Sequence, residues 1–265
     1  MDSPGTDAAA LAQRFLGLDR TGLALHGEEA PPPQREAAFL QAVEERAARR
    51  PLQYILGEWE FMGLPLAVGE GVLCPREDTA VLVEELARRL GERPRPRGLD
   101  LCAGTGAVAL GLRTLLPQAE VLCLELSDRA FPYLEENLRR HGKGLAAARK
   151  GDVLSPALAG EFVPGSLDFI ASNPPYIETG ELPGLQPEVR REPALALDGG
   201  ADGLVFYRAI VQLWAPLVKP GGLVAVETGE SQGPAVARLF QQAGLTAVET
   251  AQDWAGLDRV VSGFR

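Results

Sequence analysis

Residues 167–178 read LDFIASNPPYIE, an apolar run that ends in Asn173-Pro174-Pro175-Tyr176. Proline donates no N–H, so two in succession close a strand and leave main-chain carbonyls free to accept. The residue before a proline is pushed into the extended region, which holds both Asn173 and Pro174 extended. The product is a rigid pair of acceptors, the Asn173 side-chain oxygen and the Pro174 carbonyl. A conjugated –NH2 group is the complementary partner. Its lone pair is delocalised, and two acceptors on its hydrogens orient the nitrogen as a methyl group approaches, while Tyr176 offers a flat face to a planar group. Such a transfer draws its rate from positioning and fixed dipoles and needs no strong base. Asn-Pro is also a common turn starter, so an isolated copy could be a plain strand end; its setting decides.

The setting is a second motif about seventy residues upstream, LDLCAGTGAVAL at 99–110. Gly104 and Gly106 let the backbone turn sharply and approach a ligand at a helix start. Glu125 follows about twenty residues later at the end of the next strand, where an acid bonds ribose hydroxyls. The run from Gly104 to Ala109 fits the dinucleotide fingerprint, and either NAD or S-adenosylmethionine could occupy it. Asp100 is a poor neighbour for a pyrophosphate but a good one for a sulfonium or ammonium. Asp152, in RKGDVL, is placed to accept from an adenine amino group. With the asparagine motif these residues favour S-adenosylmethionine.

Positioning these residues requires a parallel sheet. Strands are expected at 98–102, 119–126, 145–150, 166–172 and 222–228, with helices at 78–90, 106–116, 128–141, 203–218 and 233–243. Strands alternating with helices mean a parallel sheet covered on both faces. Two last strands near 245–252 and 258–264 imply an antiparallel hairpin at one edge. In the helix at 78–90, Leu82, Leu86 and Leu90 share one side. Ahead of it, 51–75 reads as a linker hairpin around Gly63 and Gly69. Residues 7–19 and 34–50 read as two helices, the second with Ala37, Leu40, Val43 and Ala47 on its apolar face. The division expected is 1–50 helical, 51–75 linker and 76–265 catalytic. The long segment 177–202 borders the substrate side.

Of 265 residues, 46% are apolar, enough for a sizeable core, and the formal net charge is −10. That balance disfavours a nucleic-acid partner, which calls for a basic face; the short RPRPR at 93–97 does not supply one. No apolar run is long enough to span a membrane, and the N-terminus lacks the pattern of a signal peptide, so the expectation is a cytoplasmic monomer. Three cysteines, Cys74, Cys102 and Cys123, fit no zinc spacing, and the latter two are expected as buried thiols. The two histidines, His26 and His141, support no hydrolase triad, and His141 is expected on the surface near a helix end.

These motifs resemble the HemK/PrmC family, which methylates the side-chain amide nitrogen (N5) of the glutamine in the Gly-Gly-Gln loop of class 1 peptide chain release factors. PLQYILGEWEFMGLPLAVGEGVLCPREDT (51–79), LDLCAGTGAVAL, SNPPYI and REPALALDGGADGL (191–204) match its blocks in order. The resemblance implies a Rossmann-like class I S-adenosylmethionine-dependent methyltransferase fold: a mostly parallel seven-stranded sheet with a terminal antiparallel hairpin, plus a small N-terminal helical domain that helps recognise the release factor. It implies a cofactor turn of Cys102, Ala103, Gly104, Thr105 and Gly106, with Glu125 on the ribose and Val153 on adenine. Arg76 and Thr79 shape the cofactor pocket, Asn173 to Tyr176 hold the glutamine amide, and Glu192 and Pro193 pack beside them; S-adenosylhomocysteine is the product. Two departures stand out: Cys102 replaces a usual glycine, and Ala80 a usual acid. The main rival is an adenine amino methyltransferase acting on DNA or RNA, which must extrude its base and hold a polyanion. A non-catalytic adaptor on the same fold is opposed by the intact Asn173, Tyr176 and Glu125, and a NAD oxidoreductase by the double proline.

Overall fold

The structure is a computed structural model that describes residues 4–91 and 93–265, so residues 1–3 of the N-terminal reading lie outside it. Four helices come first: α1 (Pro4–Leu11, continued by a wider turn to Leu16), α2 (Arg20–His26), α3 (Pro33–Ala47) and α4 (Leu52–Leu56). A hairpin follows, β1 (Glu58–Phe61) paired antiparallel with β2 (Leu64–Ala67). Met62 and Gly63 both take positive φ, as the tightest hairpin turn requires.

The remaining elements alternate: α5 (Thr79–Leu90), β3 (Arg97–Leu101), α6 (Ala107–Leu115), β4 (Glu120–Glu125), α7 (Phe131–His141), β5 (Ala146–Lys150), the single turn α8 (Pro156–Ala159) and β6 (Leu167–Ser172). After the long loop come α9 (Val205–Ala209, extended irregularly to Leu217), β7 (Val218–Glu227), α10 (Gly233–Gln242), β8 (Thr246–Gln252) and β9 (Asp258–Phe264). The seven large-sheet strands lie in the order β5-β4-β3-β6-β7-β9-β8. Pairings from β5 to β7 are parallel, whereas β9 runs antiparallel to both β7 and β8.

The sheet is buried on both faces because its central strands carry apolar residues toward both sides. Phe169 and Ala171 of β6, with Leu223 and Ala225 of β7, pack against α5, α6 and α7. Ile170, Val224 and Val226 face the opposite layer with Tyr207, Trp214, Val236 and Phe240. Leu82, Leu86 and Leu90 of α5 are fully buried as the spacing requires, each worth about 2 kcal/mol in transfer from water.

Several expectations are corrected. The first helix stops at Leu16, before Gly17 with φ 77°, and α2 and α4 are additional. The helix expected at 203–218 loosens after Ala209 into a wide turn and then a tight one at Pro216, and β7 starts at Val218, passing through Gly221 and Gly222 with a register shift against β6. On α3 the expected apolar face is largely outside: Leu40 is 52% and Val43 38% exposed. Ala42 and Arg46 are buried instead. Ala42 joins Leu11 and Leu52 in a small cluster that α4 completes with Ile55 and Leu56. No helix among the described residues is long and apolar enough to cross a membrane.

Candidate active site

The sheet order reverses between β3 and β6, and ligands bind at such a switch point beyond the strands' carboxyl ends. A cleft of about 910 Å³, including space open to solvent, lies there. Arg76, Thr79, Cys102, Ala103, Gly104, Thr105, Glu125, Asp152, Val153, Asn173 and Pro175 line it. A second chamber of about 520 Å³ adjoins it, lined by Pro174, Tyr176, Ile177, Val189 and Glu227. The two share Leu73, Arg76, Asn173 and Ala196 as walls. Asn173 therefore stands on the partition.

The glycine turn is held from below. Asp100 is not part of the cleft wall, contrary to the expectation that it would face a ligand's positive charge. Its Oδ2 accepts from the Ala109 amide at 3.1 Å, supplying from β3 the N-terminal acceptor that α6 lacks on its own cap residue. Asp100 is 1% exposed and its Oδ1 has no partner among the described residues. Burial pushes its carboxyl up to about 7, the Ala109 amide works against this, and Glu125 adds to it. Gly106 is also behind the wall; its φ is 80°, and an added Cβ would come within 2.9 Å of Leu134 Cδ1. Gly104 differs: with φ 55°, its missing Cβ leaves open space, the nearest atom being Val72 Cγ2 at 3.9 Å. A side chain there would fill the cleft.

Glu125 lies across this turn. Its Oε2 accepts from the Gly104 amide at 2.8 Å and its Oε1 from the Ser127 amide at 2.6 Å, so the carboxylate is fixed in direction by main chain on both sides. Asp152 is fixed likewise by the Leu154 amide at 2.8 Å. The Val153 carbonyl accepts from the Trp214 indole at 2.8 Å, which holds the Val153 wall. Burial raises the Cys102 thiol well above its usual range, and Glu125, Asp100 and Asp152 push it further. Glu125 and Asp152 give the cleft acidic walls, which suit a cationic ligand such as a sulfonium better than a pyrophosphate. Cys102 has φ 60°, the left-handed region where glycine carries no penalty. That explains why glycine is the expected residue here and why Cys102 departs from it at a cost. All three thiols are free, with Cys74 and Cys123 buried and Cys102 partly so.

β6 delivers Asn173. The Ser172 hydroxyl donates to the Leu101 carbonyl at 2.7 Å, locking the strand end to β3. Asn173 Nδ2 donates to Thr79 Oγ1 at 3.2 Å, and among the described residues neither Asn173 Oδ1 nor the Pro174 carbonyl accepts a hydrogen bond. Tyr176 is pinned through its own carbonyl, which accepts from Gln232 Nε2 at 2.8 Å. Gly199 packs against this segment so closely that an added Cβ would sit 2.7 Å from Tyr176 Cα. A bridge between Ile177 and Asp198 completes the brace.

The 177–202 segment is anchored at several points, among them the Arg191 guanidinium, which donates to the Ala48 carbonyl at 2.6 Å. Glu192 Oε2 accepts from the Cys74 amide at 3.0 Å, and Glu192 pairs with Arg76, so Arg76 reaches the site as half of an ion pair. Pro193 lines the main cleft. Further back, Glu188 accepts from Arg46 at 2.9 Å and pairs with Arg49 at 2.9 Å, while Arg46 also holds Asp7 at 2.7 Å. His141 Nε2 donates to the Pro65 carbonyl at 2.9 Å, at the exposed end of α7.

Two residues escaped the sequence reading. Asn137 is fully buried; its Nδ2 donates to the Ala67 and Thr105 carbonyls at 3.1 and 3.0 Å, and its Oδ1 accepts from the Ala67 amide at 2.7 Å, tying the hairpin to the glycine turn. Nothing in a polar helix marks it in advance. Glu227 ends the apolar strand β7 just as Glu125 ends β4, a parallel that could have flagged it. No metal-binding cluster occurs among the described residues.

Comparison with known proteins agrees with this geometry. The PrmC N-terminal domain model matches residues 1–57 and the methyltransferase small domain model residues 75–185. A release factor glutamine methyltransferase of Geobacter sulfurreducens is 44% identical across 96% of this chain and 87% of its own. One from Moorella thermoacetica is 41% identical across 100% and 93%. Among solved structures, the hMettl16 catalytic domain in complex with MAT2A 3'UTR hairpin 6 superposes with a TM-score of 0.61 at 15% identity, over 87% of this chain and 81% of that one. A Pyrococcus furiosus methyltransferase does so with a TM-score of 0.55 at 17% identity, over 87% and 97%. Those two show the fold alone. The identities of the first two, sustained over nearly the whole chain, show more: the chain belongs to the release factor glutamine methyltransferase family.

Proposed function

We propose that this enzyme transfers a methyl group from S-adenosyl-L-methionine to the side-chain amide nitrogen (N5) of the glutamine in the Gly-Gly-Gln loop of class 1 peptide chain release factors. The observation that carries the reading is the partition: Asn173 belongs to both chambers, beside an acidic cleft on one side and Tyr176 on the other. When bound, S-adenosylmethionine supplies an electrophilic methyl on a sulfonium and leaves as S-adenosylhomocysteine. Glu125 and Asp152 are the acceptors for its ribose and adenine, Val153 is the apolar wall, and Gly104 leaves room for the ligand against the backbone.

On the substrate side, Asn173 Oδ1 and the Pro174 carbonyl accept the two amide hydrogens. Among the described residues each stands without a competing donor, so neither has to be freed first. Gripping both hydrogens fixes the nitrogen and favours lone-pair character on the face turned to the methyl donor, and the methylated nitrogen then sheds one of the two protons to solvent. Tyr176 packs on the planar carboxamide. Its phenol is pushed up to about 12 by burial, with Glu227 adding to this, so it remains a neutral apolar surface with a donor at its tip.

The segment 1–50 is the recognition unit in this reading, 51–75 the linker and 76–265 the catalytic domain; α4 of the linker also packs into the helical cluster. The ion pairs from Arg46 and Arg49 to Glu188 support that role, because they join the helices to the loop that walls the substrate chamber. The protein acts as a cytoplasmic monomer on protein rather than nucleic acid, in keeping with its net charge of −10. Incubation with methyl-labelled S-adenosylmethionine tests this. Label is expected in a recombinant release factor and absent from DNA and RNA; label in adenine with none in the release factor would favour the amino methyltransferase of nucleic acid instead.

A further inference from the structure

Glu227 stands at the end of β7 in the wall of the substrate chamber, beside Asn173 and Tyr176. It is 2% exposed, and its Oε2 has no hydrogen-bond partner among the described residues. A buried acceptor left unpaired in a ligand chamber calls for a role. Thr79, the first residue of α5, receives the Asn173 Nδ2 proton at 3.2 Å, and the Thr79 and Asn173 side chains both favour the ionised Glu227.

We propose that Glu227 is a positioning residue, the terminal acceptor of a relay from Asn173 through Thr79 that fixes which end of the Asn173 carboxamide faces the substrate amide. This rests on the reading that Asn173 grips that amide. The two ends of a carboxamide have nearly the same shape and opposite chemistry. A substrate –NH2 requires the oxygen end; turned over, Asn173 would present donors to donors.

Polarity along the relay decides between the two. An ionised Glu227 only accepts, so in the proposed relay the Thr79 hydroxyl proton turns to it, a bond added to the Asn173–Thr79 contact already in place. The Oγ1 lone pairs then face Asn173, and only its NH2 end can meet them. A protonated Glu227 can donate to Oγ1 instead. The Thr79 proton is then released toward Asn173, and the carboxamide is stable with its oxygen inward. Protonation of Glu227 therefore turns the acceptor away from the substrate. Burial raises the Glu227 carboxyl to about 7, Thr79, Arg259 and Asn173 lower it, and Asp78 raises it. The groups facing it are thus Asp78 and Thr79 from the start of α5, Arg259 from β9, Asn173 and Tyr176 after β6, and Tyr207 of α9, whose hydroxyl donates to the Glu227 carbonyl at 2.9 Å. Arg76 shares the same chamber.

The test compares methylation of a purified release factor by the wild-type, Glu227→Gln, Thr79→Val and Thr79→Ser proteins from pH 5.5 to 9. Calorimetric titration of S-adenosylmethionine runs alongside. The wild-type kcat should fall as pH drops through about 7. Glu227→Gln should lower kcat by about 10²-fold and abolish that acidic limb, while cofactor affinity changes less than about threefold. Thr79→Val should reproduce the loss from the middle of the relay, and Thr79→Ser should restore most of the rate. A Glu227→Gln protein with wild-type kcat, or one that keeps the acidic limb, would overturn the relay while leaving the release-factor reading intact. A wild-type protein that methylates no release factor overturns both, since the relay then has no amide to orient.

Discussion

Replacing Arg46 with methionine keeps most of the side-chain stem and removes the guanidinium that joins the helical segment to the substrate loop. Arg46 is 9% exposed, and the side chains of its partners Asp7 and Glu188 are 16% exposed each. Burial works against the Arg46 charge, yet the two carboxylates more than offset it and hold it ionised. Breaking a buried pair costs about 3–5 kcal/mol because a charge is left behind. Here the bonds to Asp7, Glu188 and the Arg50 carbonyl go, but Glu188 keeps Arg49 at 2.9 Å, and Asp7 stays in the first turn of α1, where the helix end favours it. The net loss is therefore about 2–3 kcal/mol, a drop in melting temperature of roughly 5–10 °C for a chain of this size. The loop should loosen locally as well. Arg190 and Arg191 lie just beyond Glu188 and are exposed, so trypsin should cut there faster in the variant, and KM for the release factor should rise more than kcat falls. A double-mutant cycle with Glu188→Gln should return about 1 kcal/mol of coupling. Unchanged melting, unchanged cleavage after Arg190 and Arg191, and additive single mutants would refute the clamp.

Cys102→Gly should be tolerated and gain up to about 1 kcal/mol, because the φ of 60° costs an L-residue about 1–2 kcal/mol and glycine's extra chain entropy returns part of it; a loss of more than about 1 kcal/mol by denaturant titration would contradict this. Asp100→Asn should stabilise the cofactor-free protein at pH 8 by about 3 kcal/mol. The folded carboxyl titrates at about 7, above its unfolded range, so its contribution is present in acid and lost as pH rises through 7. Melting curves at pH 5 and pH 8 check the sign: the variant's advantage should shrink at the lower pH. Asn137→Ala removes three hydrogen bonds between α7, the hairpin and the glycine turn; at about 1 kcal/mol each it should lower stability by about 3 kcal/mol and weaken S-adenosylmethionine binding in calorimetry.

The sheet was legible because its strands are short apolar runs bounded by turn residues, and their alternation with helices leaves few topologies. The helical segment was harder. α2 is a seven-residue helix with Gly22 inside it and no buried residue, capped by Asp19, so no apolar period announces it. On α3, hydrophobicity pointed to Leu40 and Val43, but the structure buries Arg46 by pairing it with residues 39 and 142 positions away. No local pattern contains partners that distant. At the site, Asn173, Gly104 and Glu125 could be placed from motif and strand end. Asp100 could not, since residues on one strand point alternately to opposite faces, and a shift of one position moved it from the cleft to the underside of α6. Glu227 was missed because its meaning depends on Thr79 and Asn173, which reach it from other elements.

Peptide mapping by mass spectrometry of a class 1 release factor, after reaction with S-adenosylmethionine and this enzyme, tests substrate and site together. The Asn173 grip on the substrate amide predicts one added methyl group, on the amide nitrogen of the Gly-Gly-Gln glutamine, and none when Asn173→Ala replaces the wild-type enzyme. A methyl group on any other residue, or an Asn173→Ala protein as active as wild type, would contradict it.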